Sequence, residues 1–183
     1  MATNVVSPEW TILDRTIKEL RKMAAEREFV RSGNEAVRSV VPSAVLRWIT
    51  LEGGDQNQNN GFVNIPRPGM LVTSLPVKET ATGVSCAHDI IVTIVIQIVD
   101  DSSSSRQSSG PVQTYMDWMN RVRHKILGSP MIFRQDFNPA IADPYGVWAK
   151  DRIPSDPQKL WRHSQQVAAF SFFVIVRQHR EGL

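Results

Sequence analysis

Cys86 and His88 are the side chains best placed in this sequence for covalent chemistry. Two residues apart on an extended chain they face the same side, and an imidazole beside a thiol can generate a thiolate nucleophile. Asp89 is the one neighbour able to orient that imidazole. A small packed thiol and a histidine at a strand entrance is the plainer reading, and it is preferred. His124, His163 and His179 complete no HExxH or other metal-ligand spacing, and a lone cysteine rules out an internal disulfide and a cysteine-built zinc site. Ser164 lies in no GxSxG elbow, and Gly53-Gly54 runs into Asp55 and amides rather than the lysine of a phosphate loop. Asp100 and Asp101 open a serine-rich loop and read as solubilising groups, not as an acid–base pair. No catalytic residue, cofactor or metal site is assigned.

Composition narrows the classes further. The 183 residues are 42% hydrophobic and 21% charged, as expected of one globular domain spanning residues 1–183. The net charge of +3 is too small to mark a nucleic-acid binder by itself. Arg15, Lys18, Arg21, Lys22, Arg27 and Arg31 alternate with Asp14, Glu19, Glu26 and Glu28, the pattern of a solvated helix face. Arg121, Arg123, His124 and Lys125 lack such partners and would carry any nucleic-acid contact. The N-terminus has no secretory pattern, and the apolar run Ile90–Val99 is too short to span a bilayer as a helix, so a soluble protein is expected.

Helical spacing of Trp10, Leu13, Ile17, Leu20 and Ala24 predicts an amphipathic helix with all five on its core face. It is capped by Ser7, entered through Pro8, and expected to reach about Phe29. Strands follow at Ala44–Thr50, Phe62–Ile65 and Gly69–Thr73. The β-branched run Ile90–Val99 is apolar at both odd and even positions and therefore belongs in the middle of a sheet. A second helix carries Tyr115, Trp118, Val122 and Ile126. A proline-rich stretch of short strands and turns and a final strand over Val167–Arg177 complete the chain. The fold class is α+β: a central mixed or antiparallel sheet with an N-terminal helix and a second helix packed on it. Segments 53–61 and 101–110, glycine-, amide- and serine-rich, read as long flexible loops.

This order of elements, from the helix after Ser7-Pro8, through Arg67-Pro68-Gly69-Met70-Leu71-Val72-Thr73 and the Ile90–Val99 strand, to the second helix and the aromatic closing strand, resembles the tail terminator or tail-completion proteins, and the related neck proteins, of long-tailed bacteriophages. The resemblance covers roughly residues 8 to 178. It implies a virion structural protein without enzymatic activity, made in the host cytoplasm. Such proteins form a homo-oligomeric ring, usually of six subunits, at the head-proximal end of the tail tube. Its partners would be the tube and the connector or stopper proteins of the neck, with DNA passing through the ring without sequence-specific binding. An adaptor, stopper or head-completion protein is the nearest alternative; a Cys86-dependent enzyme and a nucleic-acid-binding module stand further off. Candidate assembly contacts are Asp55, Gln56, Asn57, Asp101 and Arg106 in the two loops, and Trp148 and Trp161 in the proline-rich stretch, where large aromatics anchor interfaces.

Overall fold

The structure, a computed structural model, describes residues 7–29, 40–42, 45–47, 68–81, 87–101, 110–150 and 165–179. Within these it is α+β: helix α1 (Pro8–Ala25), strands β1 (Val45–Arg47), β2 (Gly69–Ser74), β3 (Lys78–Ala81) and β4 (Ala87–Asp101), helix α2 (Gly110–Gly128), a 3-10 helix (Pro130–Asp136), and strands β5 (Ala142–Ala149) and β6 (Gln165–His179). The six strands form one mixed sheet in the order β1-β2-β4-β6-β5, with β3 also paired to β4. Only the β1–β2 pair is parallel.

The centre is the 15-residue strand β4, paired with β6 from Ala87↔His179 to Asp101↔Gln165. On its other side lie β2 and then β3, two parts of one interrupted strand. Ser74 opposes Ile94 and Lys78 opposes Ile91, so β2–β3 carries one more residue than β4 across the gap. Pro76 sits in that interruption, where its missing N–H costs no ladder bond, and the Leu75 N–H keeps a bond to the Thr93 carbonyl at 2.9 Å.

Both helices cover the same face. Ile90, Val92, Ile94, Ile96 and Ile98 of β4 share one core with Met70 and Val72 of β2 and Phe172, Val174 and Val176 of β6. That core is closed by Ile12, Leu20 and Met23 of α1, by Trp118, Val122 and Ile126 of α2, and by Phe133 of the 3-10 helix. Burial reaches the second face at Leu71, Val95, Val99 and Ser171, as the two-sided apolar pattern of Ile90–Val99 requires.

Several expectations need correction. Trp10, placed on the core stripe of α1, is 47% exposed; the buried stripe begins at Thr11, Ile12 and Leu13. Ser7 makes no side-chain cap; its carbonyl instead accepts from the Thr11 N–H at 3.0 Å and from the Thr11 hydroxyl at 3.2 Å. Helix α1 stops at Ala25, short of Phe29, because Arg27 adopts φ 60°, a left-handed residue that closes the C-terminus. The Arg27 N–H donates to the Ala24 carbonyl at 3.2 Å and the Glu28 N–H to the Met23 carbonyl at 3.0 Å, the paired bonds of a Schellman end.

The charged face of α1 is only partly solvated. Glu19 is buried and paired with Arg15 at 3.0 Å, and Arg15 also reaches Gln135 at 2.7 Å and Asp136 at 3.5 Å, tying α1 to the 3-10 helix. Arg21 donates to the Val45 carbonyl from two guanidinium nitrogens, at 3.3 and 3.2 Å, and so anchors β1. Asp100, read as a solubilising group of a loop, lies inside β4 at 4% exposure and accepts a hydrogen bond from Tyr115 of α2. The Phe62–Ile65 strand lies outside the described residues, as do 53–61 and, apart from Asp101 and Gly110 at its ends, the 101–110 segment.

Candidate assembly surface

Trp148 is the one candidate contact whose side chain the structure describes. Asp55, Gln56, Asn57, Arg106 and Trp161 lie outside the described residues, and Asp101 is placed only by its backbone, as the last residue of β4 rather than as part of a loop. Trp148 sits on β5 opposite Phe173, on the sheet face that neither α1 nor α2 covers. The two rings stack with centroids 5.4 Å apart and planes 22° from parallel.

Gly146 makes this arrangement possible. On a strand, residues two apart share a face, so a side chain at position 146 would project where the indole lies. A Cβ there would fall 1.7 Å from Cη2 of Trp148. The glycine thus leaves room for the indole to fold back along its own strand, against Phe173 and still 44% exposed. A register shift between Pro144 and Gly146 re-aims Tyr145, which is 42% exposed.

Beside the aromatic pair is a polar cluster built from three strands. Arg177 of β6 donates to both Asp89 carboxylate oxygens, at 3.0 and 3.3 Å, and the Tyr145 hydroxyl donates to the same carboxylate at 2.9 Å. The Arg177 guanidinium also lies 5.0 Å from the Tyr145 ring centroid, within cation–π range. The Arg177 bond holds the Asp89 carboxyl below the usual carboxylate range against the opposing effect of burial, and the Tyr145 bond adds to it. Burial, followed by the Asp89 bond, pushes the Tyr145 hydroxyl above its ordinary value.

This geometry removes Asp89 from the Cys86–His88 arrangement. Neighbouring strand residues point to opposite faces, so Asp89 faces Arg177 and Tyr145 while His88 faces away, its Nδ1 buried without a hydrogen-bond partner. Cys86 lies outside the described residues.

Among the described residues no group of three or more His, Cys, Asp or Glu side chains could hold a metal ion, and no helix is long and apolar enough to cross a membrane. A recess of about 260 Å³ is lined by Arg134, Phe137, Pro139, Ala142 and Asp143. Arg134 is already held there by Asp143 at 3.1 Å and by the Pro144 carbonyl at 3.1 Å, so its charge is answered from within the chain.

Sequence reasoning singled out Trp148 but missed Tyr145, Arg177 and Asp89 as a unit. Their separation along the chain leaves no local signal. The Gly146–Trp148 spacing was such a signal, since a glycine two residues before a tryptophan on a strand makes room for the ring. No family model and no curated protein matches the chain.

Proposed function

We propose that this protein is a structural subunit of a bacteriophage tail, assembling as a ring at the head-proximal end of the tail tube and joining it to the neck. The observation that carries the reading is the pair of exposed aromatics on β5. Both helices pack on one face; the other is buried over β4 and at Ser171 of β6 but presents Trp148 and Tyr145 to solvent at β5. Large exposed aromatics held by stacking, rather than by burial, are typical anchors of protein–protein contacts. The order of elements supports the specific setting, because it resembles that of the tail terminator and neck proteins. The chemistry of the exposed surface is in keeping, since its arginine–carboxylate cluster is satisfied internally and serves to fix side chains.

Gold-labelled antibody against this chain, applied to intact virions, tests the placement. Label at the head–tail junction is the expected result. Label on the capsid surface or the distal tail tip would overturn it.

A further inference from the structure

We infer that the subunits contact one another head to tail, with the β5 aromatic surface of one copy seated on the N-terminal half of α2 of the next. The inference rests on the ring reading and names the two surfaces that such a ring would use. A closed ring needs two different patches on each subunit, whereas a two-fold dimer needs only one. The described surface carries two, on opposite sides of the sheet.

The first is the exposed β5 part of the second face: Trp148 and Tyr145, with Lys150 just past the end of the strand. The Lys150 N–H bonds the Ser171 carbonyl at 2.9 Å, which places Lys150 opposite Ser171 and on the same face as Trp148. No described acidic side chain pairs with its ammonium group, because Asp89 is taken by Arg177 and Asp143 by Arg134.

The second lies in the helix layer. Met116 is 60% exposed on the flank of α2, beside residues that close the core. Asp117 follows it, exposed, and is the only charged residue between Gly110 and Asn120; among the described residues no cation pairs with it. The two patches are complementary in both respects. A methionine thioether packs well against aromatic rings, and an unpaired lysine on one copy faces an unpaired aspartate on the next.

The sheet edges argue for the same choice. The Pro144 carbonyl on edge strand β5 is bonded by Arg134, and a register shift follows it. The exposed edge strand β3 carries Lys78 and Glu79 behind the Pro76 interruption. These two edge strands are thus protected against strand-to-strand pairing, which favours a contact made through surfaces.

Charge reversal in the full-length chain tests the contact, read by light scattering across a dilution series. Lys150→Glu and Asp117→Lys should each weaken assembly by about tenfold or more, and the double variant should recover most of that loss. A second measurement uses Trp148→Cys and Met116→Cys, each combined with Cys86→Ser. Oxidation should give inter-subunit disulfides when the two proteins are mixed and none with either alone. A cross-link of Trp148→Cys with itself would mean a two-fold contact and overturn the head-to-tail inference. Wild-type oligomers with no cross-link and no response to charge reversal would also overturn it while leaving the ring reading in place. A wild-type chain that stays monomeric would remove both.

Discussion

Tyr115 donates its hydroxyl to the carboxylate of Asp100 inside the core, joining the first turns of α2 to the end of the central strand. A buried carboxylate is costly unless hydrogen-bonded, so the tyrosine offsets a desolvation penalty while its ring packs against Trp118 at 5.3 Å. Tyr115→Phe keeps the ring and removes the donor. It should destabilise the fold by about 1–3 kcal/mol in urea titration, and Asp100→Asn should recover part of that loss in the double variant.

Ile94 tests the central-strand assignment. It is fully buried on the face closed by both helices, so Ile94→Ala loses apolar contact and leaves a cavity. A loss of about 2–5 kcal/mol is expected, seen as a lower urea midpoint with an unchanged slope.

Gly146→Ala should displace the indole of Trp148, because the backbone fixes an alanine Cβ 1.7 Å from where Cη2 now lies. Near-ultraviolet circular dichroism should change in the tryptophan bands and stability should fall. In a Trp148→Ala background the same substitution should cost much less, since the clashing atom is gone.

Arg27 holds φ 60° without being glycine, and a left-handed conformation costs an L-residue about 1–2 kcal/mol. Arg27→Gly relieves that strain at an exposed position and should raise stability by up to about 1 kcal/mol, offset in part by the greater freedom of glycine in the unfolded chain. Thermal unfolding of the two proteins measures the difference.

Asp89 gives the fold a defined response to acid. Its folded-state value lies below the ordinary 3.8, so the bonds to Arg177 and Tyr145 stabilise the fold above that pH. The contribution is lost as pH falls through the depressed folded-state value. The stability difference between wild type and Asp89→Asn should be constant near neutrality and shrink towards zero in strong acid.

What could be read from the residues alone was what repeats locally. The two-sided apolar run of β4, the 3.6-residue stripe of α2 and the alternation in β6 each announce their element. The end of α1 was misread because its terminating residue is Arg27, where a glycine would have been a visible signal. Trp10 was misplaced because periodicity marks a face of a helix but not where that face leaves the core. Asp100 was misread because its burial depends on Tyr115, which arrives from another element. The surface cluster of Asp89, Tyr145 and Arg177 is set by strand register, which no local pattern specifies.

The central claim is that this chain builds a ring from identical subunits. Negative-stain electron microscopy of the purified full-length protein at micromolar concentration tests it most directly. Closed rings with a central opening, seen end-on and uniform in subunit number, are the predicted result. Isolated monomers or two-fold dimers across that concentration range would contradict it.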